Sequence, residues 1–140
     1  MSTVTVTLSI VVYKGDPVDA MEYRHTALFA EFSDGTNTLL HITGESGFFA
    51  FDGRPNQVPV ESQNFVKQIY VATIPGVTRD GFISTIRTIP IDNQNRSWNC
   101  PHWVGDALNH IAAAGMITQE VASKVVLDMV DIVFEAKDEA

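Results

Sequence analysis

Cys100 is the one cysteine of the 140-residue chain, and the residues around it place it at the start of a predicted helix. Pro101 follows directly, and proline is favoured in the first turn of a helix because its φ is already helical and its missing N–H needs no partner there. A thiol at a helix N-terminus faces the positive end of the helix dipole, so we expect the pKa of Cys100 to be lowered. Backbone N–H groups at the same place can hold the oxyanion that forms when sulfur attacks a carbonyl group.

A cysteine nucleophile needs a base, and the four histidines of the chain are the candidates. His102 lies two residues after Cys100, about 200° around the helix, and is therefore expected to point away from the sulfur. His110 is nearly three helical turns further along, at roughly 15 Å. His25 and His41 lie on two predicted strands of one hairpin, where a rigid sheet can hold an imidazole against a helix terminus. The sequence therefore leaves His25 and His41 as the candidate bases.

The elements that must position these residues are predicted from the spacing of apolar side chains. A two-residue period predicts a strand at residues 4–13, and further strands are predicted at about 23–32, at 38–43 as the return of a hairpin, and at 65–74 from an apolar run bounded by turn-forming residues. Turn-forming residues 33–37 join the second and third strands into a hairpin, and residues 44–59 predict an irregular loop folded over the sheet. Helical spacing and capping residues predict helices from Cys100 to Gly115 and after Thr118, and they favour a helix over residues 78–89, although the β-branched residues there suit a strand equally well. The expected fold is a single α+β domain over residues 1–140, with an antiparallel sheet packed against C-terminal helices.

Composition excludes several classes of protein. With 45% hydrophobic and 19% charged residues, the chain is predicted to be globular and ordered. A net charge of −8 argues against nucleic acid or an anionic membrane surface as a partner. No apolar run approaches the roughly 18 residues of a membrane span, and the first residues lack the pattern of a secretory signal, so a cytoplasmic protein is expected. Phosphate-loop and metal-binding motifs are missing from the sequence, which predicts neither a cofactor nor a metal.

Two segments resemble the circularly permuted papain-like proteins: RHTALF (residues 24–29) on a strand and NCPHWV (residues 99–104) opening a helix. This superfamily includes the lecithin:retinol acyltransferase and phospholipase/acyltransferase group, the PPPDE isopeptidases and the NlpC-like proteins. In its members the base precedes the nucleophile in the chain, as His25 precedes Cys100. The resemblance covers residues 23–45 and 97–112. It implies a permuted papain-like (NlpC-like) fold in which Cys100 is the nucleophile, His25 the base and His41 the residue that orients His25.

The register of the hairpin leaves a second candidate for the orienting residue. Opposed residues of an antiparallel pair have numbers with a constant sum, which is 69 for a two-residue turn at positions 34 and 35 and 70 for a loop over residues 33–37. The first register places His25 and His41 on opposite faces of the sheet. The second places Glu45 opposite His25 and leaves His41 roughly 13 Å away along the strand. Glu45 is therefore a rival of His41, since a carboxylate orients the imidazole in many triads.

These residues together predict cysteine-dependent acyl chemistry on an amide, ester or thioester. His25 takes the proton of Cys100, and the sulfur forms a covalent acyl-enzyme with a small-molecule, acyl or peptide substrate. Trp98 and Tyr23, which lie near the nucleophile and the base in the sequence, are the predicted substrate-binding residues. Hydrolysis, acyl transfer and intramolecular cyclisation of a small-molecule or carrier-bound acyl group all remain open. Two other interpretations also remain open, namely a non-catalytic binding module on the same fold and a homo-oligomer whose interface is the aromatic segment 48–51.

Overall fold

The computed structural model describes residues 3–15, 19–20, 24–45 and 47–136. Within these residues the chain forms five strands and three α-helices, as the α+β prediction requires. The strands are β1 (Val4–Tyr13), β2 (His25–Phe32), β3 (Asn37–Thr43), β4 (Ala50–Pro55) and β5 (Phe65–Val77). The helices are α1 (Arg79–Arg87), α2 (Cys100–Ala113) and α3 (Gln119–Phe134), and a single 3₁₀ turn (Pro59–Glu61) lies between β4 and β5.

The five strands form one antiparallel sheet in the order β4-β3-β2-β1-β5. Alternate residues of β1 face the helices, and Leu8 and Ile10 are completely buried there together with Trp103 and Leu108 of α2. This layer between the sheet and α2 and α3 is the main hydrophobic core. Its position agrees with the prediction of a sheet packed against C-terminal helices.

A second and smaller apolar cluster covers the other face of the sheet. It consists of Val11, Ala27, Phe29 and Leu39, with Tyr13 and Phe65 packed at its margin. Because side chains alternate along a strand, His25 shares this face with Ala27, and His41 shares it with Leu39. The two histidines therefore lie on the opposite face of the sheet from the helices.

The prediction of an irregular loop over residues 44–59 is wrong for its central part. Ala50–Pro55 forms β4, which pairs with β3 along the edge of the sheet from Thr43↔Ala50 to Thr38↔Pro55. Gly53 and Pro55 are typical turn residues, but an edge strand needs hydrogen bonds on one side only and tolerates both. The same reason explains why β5, the other edge strand, continues through Pro75 and Gly76 to Val77.

The helix boundaries follow the capping residues that the sequence predicts. The Thr78 hydroxyl accepts from the Gly81 amide at the start of α1, and the Thr118 hydroxyl accepts from the Val121 amide at the start of α3. Gly115, just beyond the end of α2, has a φ of +82°, which glycine adopts without strain. Among the described residues, no helix is long and apolar enough to cross a membrane.

Candidate active site

Cys100 is the first residue of α2, and its sulfur lies in a gap between two strands. The pairing of β2 with β3 ends at Leu28↔Leu40. Beyond that point the Ile42 carbonyl oxygen lies 3.7 Å from Cys100 Sγ. The helix thus inserts its first side chain between the separating strands, and only 8% of the surface of Cys100 is exposed.

His25 is the first residue of β2, and its imidazole reaches the sulfur from the other face of the sheet. The Nδ1 atom of His25 lies 3.3 Å from Cys100 Sγ, within hydrogen-bonding distance for sulfur. On the neighbouring strand Tyr13 is directly opposite His25, and the two rings stack with their centroids 5.9 Å apart. The structure therefore brings together the nucleophile and the base that the sequence predicts.

Three further side chains extend the contact into a chain of hydrogen bonds. His25 Nε2 lies 2.7 Å from His41 Nδ1, and His41 Nε2 lies 3.0 Å from Asp52 Oδ2. Arg54 donates to the same carboxylate oxygen at 2.7 Å, which is the main reason that the pKa of Asp52 is lowered. Asp52 is therefore an ionised acceptor, so His41 carries its proton on Nε2 and accepts the Nε2–H of His25 through Nδ1. This leaves His25 Nδ1 without a proton, facing the thiol.

The register of the hairpin explains how His41 reaches His25. Opposed residues of β2 and β3 have numbers that sum to 68, as in Leu28↔Leu40, so both predicted registers are wrong. The last backbone-bonded pair is Phe32 with Thr36, so the loop contains three residues (33–35), and Asp34 closes it by accepting hydrogen bonds from the Thr36 amide and hydroxyl. The sum of 68 puts the two histidines on one face and places position 43 opposite His25, so His41 is a diagonal neighbour of His25 across the strands. Of the two candidates for the residue that orients His25, His41 is the one that lies beside it. The side chain of the other candidate, Glu45, is exposed.

Burial determines the protonation state of the pair. Withdrawal from water raises the pKa of the Cys100 thiol to about 11, although the Thr26 amide acts in the opposite direction. Withdrawal from water also lowers the pKa of His25 to about 4, and the charges of His41 and Arg54 add to this effect. Both groups are neutral at pH 7. The expectation that the helix N-terminus lowers the pKa of Cys100 is therefore wrong for the resting site, where desolvation is the larger effect.

A family model matches residues 9–118 of the chain. The chain belongs to DUF6540, a family of unknown function. Comparison with curated proteins and with solved structures gave no match. The segment matched to DUF6540 contains Cys100, His25, His41 and Asp52, and it ends at Thr118, the N-cap of α3.

Asn93 holds the segment that leads into Cys100, a role that the sequence does not reveal. Its side-chain oxygen accepts from the Phe49 amide at 2.8 Å, and its side-chain nitrogen donates to the Phe49 carbonyl at 3.0 Å. Trp98 packs edge to face on the Phe49 ring, and only 8% of its surface is exposed. The described contacts of Trp98, one of the two predicted substrate-binding residues, are thus packing contacts.

His102 and His110 make no described contact with the sulfur. His102 accepts from the Asn99 amide through Nδ1 at 3.2 Å and forms part of the capping box of α2. His110 is exposed in the last turn of the same helix. Tyr23, the other predicted substrate-binding residue, lies outside the described residues. In the part of the chain that the structure describes, no cluster of three or more His, Cys, Asp or Glu side chains is arranged to hold a metal ion.

Two surface hollows are lined by residues close in sequence to the site residues. Of these two, only one is lined by side chains of the site itself. A depression of about 310 Å³ on the outer face of the sheet is lined by polar and charged residues that include Tyr13, Lys14, His25, His41, Arg54 and Asn64. An apolar groove of about 450 Å³ between α2 and α3 is lined by Pro101, Gly105, Val130 and Phe134 among others. The residues of α2 in this groove point away from the core, whereas Cys100 points into it. The depression is therefore the hollow that gives access to the imidazoles.

Proposed function

We propose that this protein performs cysteine-dependent acyl chemistry, as a hydrolase or an acyltransferase acting on an ester, thioester or amide. The observation that carries the proposal is the 3.3 Å contact between Cys100 Sγ and the unprotonated Nδ1 of His25. A thiol beside a base that is itself held by a third group is the usual arrangement of a cysteine nucleophile. The third group here is His41, which is in turn held by Asp52.

The proposed reaction begins from the neutral pair. As Cys100 Sγ bonds to the substrate carbonyl carbon, the thiol proton moves to His25 Nδ1. The π electrons of the carbonyl group move to the carbonyl oxygen, which becomes an oxyanion. Collapse of this intermediate breaks the bond to the leaving group, which takes the proton from His25 and leaves an acyl-enzyme on Cys100. Water or another nucleophile then gives its proton to His25 as it attacks the thioester, and the proton returns from His25 to sulfur as the C–S bond breaks and the acyl product leaves. The identity of this second nucleophile separates a hydrolase from an acyltransferase or a cyclising enzyme.

The groups around Cys100 and His25 can stabilise the charges that develop in this reaction. The positive charge on His25 is stabilised through His41 by the Asp52 carboxylate. The backbone amide of Cys100 lies beside its own sulfur, and we infer that this N–H donates to the oxyanion of the intermediate. Transfer of the proton during attack avoids a free thiolate, which the buried site disfavours.

We further propose that the fold is a permuted papain-like (NlpC-like) one. Three observations support this assignment: the nucleophile begins a helix, the base begins a strand of an antiparallel sheet, and the base comes first in the chain. In addition, the second histidine comes from the next strand of the same hairpin. These are the features that the sequence resemblance implies.

The proposal is tested with p-nitrophenyl acetate, an activated ester that needs little specific binding. We expect the wild-type protein to release p-nitrophenolate and to carry an acetyl group on Cys100 after acid quenching, as located by peptide mass spectrometry. Cys100→Ala should carry none, and His25→Gln should be acetylated at least about 100-fold more slowly because the general base is lost. His110→Gln is the matched control and should behave as wild type, because His110 is exposed and distant from the site.

A non-catalytic binding module on the same fold is the second candidate, and the burial of Cys100 is the observation that favours it. In a binding module the sulfur serves only to pack the helix against the gap between β2 and β3. Absence of acetyl groups from Cys100 in the wild-type protein, or equal acetylation of the wild-type and His25→Gln proteins, would contradict the catalytic proposal in favour of the module.

A further inference from the structure

The depression beside the two imidazoles carries two positive charges. Lys14 and Arg54 line it together with His25 and His41, and none of its described lining residues is Asp or Glu. The chain as a whole has 17 Asp and Glu residues against 9 Lys and Arg residues. A hollow lined by charges of one sign concentrates ligands of the opposite sign. The depression is therefore a local exception to the acidic character of the protein, and it favours an anionic ligand.

Arg54 has hydrogen-bond donors left for such a ligand. Its Nε atom donates to Asp52 Oδ2 at 2.7 Å, which holds the guanidinium group in place. Its two terminal nitrogens make no hydrogen bond with a described residue, and 59% of the side-chain surface is exposed. The N–H groups of these nitrogens form a planar fork that matches two oxygens of a carboxylate or a phosphate. Arg54 can therefore bind an anion without releasing Asp52.

Lys14 supplies the second positive charge. It follows Tyr13, whose ring stacks on His25. The Lys14 backbone amide donates to the Asn64 carbonyl at 2.7 Å, and Asn64 also lines the depression. The Lys14 side chain is exposed and forms no ion pair with a described residue. Its ammonium group is therefore available to a ligand in the depression.

The described carboxylates that interact with these two cations also have other partners. The charge of Lys14 interacts with that of Asp19, but both oxygens of Asp19 accept from Arg24 at 2.9 Å. Asp52 accepts from His41 as well as from Arg54. Part of the positive charge at the depression therefore remains uncompensated.

The proposed reaction gives an anion at Arg54 a use. Burial is the main reason that the pKa of His25 is lowered, and the positive charges of His41 and Arg54 add to this effect. When His25 takes the proton of Cys100, repulsion between the new imidazolium and the guanidinium group opposes the transfer. An anion bound to Arg54 offsets this repulsion. A substrate with its own negative charge therefore favours the step that forms the acyl-enzyme.

We propose that Lys14 and Arg54 bind an anionic group of the acyl substrate, either a carboxylate or a phosphate. The substrate is then an ester, thioester or amide that carries this group on its acyl part or on its leaving group. The anionic group takes no part in the making or breaking of bonds, and it holds the substrate beside the base. This inference rests on the proposed acyl chemistry of Cys100, because the depression is the hollow that borders His25.

Binding is tested with glutarate and with inorganic phosphate, neither of which acylates the protein. The NMR signals of the His25 and His41 imidazoles report occupation of the depression at pH 7 and constant ionic strength. We expect saturable shifts with at least one of the two anions and none with glutaramide, the uncharged analogue of glutarate. The anion that binds more tightly distinguishes a carboxylate from a phosphate substrate. Lys14→Gln and Arg54→Gln should each raise its Kd about tenfold, whereas Lys124→Gln, the same change of charge on α3, should leave the Kd as in wild type.

Catalytic use of the anion is tested with p-nitrophenyl hydrogen adipate and its methyl ester, which differ in charge but share the reacting group. After subtraction of spontaneous hydrolysis, we expect kcat/KM for acylation of Cys100 to be about tenfold higher for the anionic ester. Lys14→Gln and Arg54→Gln should lower this ratio toward one, and Lys124→Gln should not. Because both esters share any effect of Arg54 on Asp52, that effect cancels in the ratio.

The results separate failure of this inference from failure of the acyl chemistry. The inference is overturned if neither anion shifts the imidazole signals, or if Lys14→Gln and Arg54→Gln bind the anion as tightly as wild type. It is also overturned if wild type is acylated equally fast by both esters. If the anion binds to wild type and not to the two variants, but no ester acylates Cys100, the acyl chemistry alone is rejected and the anion site stands.

Discussion

The Nε2 atom of His25 lies 2.7 Å from the Nδ1 atom of His41, although the residues are 16 positions apart on different strands. This contact fixes the direction of every proton in the site. Because His41 is held by an ionised carboxylate, it accepts from His25, and His25 in turn accepts from Cys100. The same carboxylate oxygen also accepts from Arg54, so one atom of Asp52 orients the whole chain.

Replacement of Asp52 should separate charge from hydrogen bonding. In Asp52→Asn the amide oxygen can still accept from His41 and Arg54, but the negative charge that stabilises protonated His25 is lost. We expect the rate of Cys100 acetylation to fall about tenfold, which corresponds to about 1.4 kcal/mol of transition-state stabilisation. Asp52→Ala loses the hydrogen bonds as well and should be slower still. Asp80→Asn, at an exposed carboxylate, is the control, and equal rates in all four proteins would show that Asp52 has no part in the reaction.

The pH dependence of acetylation should report the depressed pKa of His25. The base works only when Nδ1 is free, so the rate should fall on the acid side with a midpoint near pH 4, well below the 6.5 of a free imidazole. The thiol, with a pKa of about 11, should add no further inflection near neutral pH. The measurement is the rate of p-nitrophenolate release at saturating ester from about pH 3.5 to 8. A midpoint near 6.5 would mean that His25 is hydrated when it acts.

Protein stability should also depend on the burial of His25. The folded protein binds a proton at this position more weakly than the unfolded chain, because the pKa of His25 is lowered by burial. The contribution of His25 to the free energy of unfolding is therefore complete above pH 6.5 and is lost as the pH falls toward 4. We expect the free energy of unfolding to decrease by about 1–2 kcal/mol between pH 7 and pH 5 on account of His25. Urea titrations of wild type and His25→Gln at pH 7 and pH 5 measure this decrease. An equal decrease in the free energy of unfolding of both proteins would contradict the prediction.

Removal of the Asn93 side chain should loosen the approach to Cys100. Asn93→Ala leaves the Phe49 amide and carbonyl without their partners, at an expected cost of about 1–2 kcal/mol in the free energy of unfolding. Gln94→Ala, at the adjacent exposed position, should cost little. Chemical denaturation of both variants checks the difference. If the two variants are equally stable, the Asn93 contacts do not hold the segment.

Local patterns in the sequence were sufficient to predict much of the fold. The alternation along β1 and the caps Thr78 and Thr118 depend on residues close together in the chain, and these predictions are confirmed. The start of α2 at Cys100 follows from Pro101 in the same way. Strand alternation and helix starts depend on local backbone geometry and on the placement of apolar residues along one face. Both are determined by residues that are neighbours in the chain.

Non-local features of the site were not predictable in the same way. Asp52 was missed because β4 contains three residues typical of turns (Asp52, Gly53 and Pro55) and gains its strand conformation from pairing with β3. The position of His41 depends on a three-residue loop whose length sequence patterns did not fix. The raised pKa of Cys100 arises from burial by strands far away in the chain, which no local motif records.

The contact between Cys100 and His25 spans 75 positions of the chain. During synthesis the hairpin that carries both histidines emerges long before the cysteine, and contacts of such separation form late in folding. Until α2 docks against the sheet, the thiol is an ordinary solvated cysteine without a base, and the histidines are ordinary solvated imidazoles. Assembly of the site is therefore tied to completion of the tertiary structure, so in a partly made or misfolded chain Cys100 is not paired with His25.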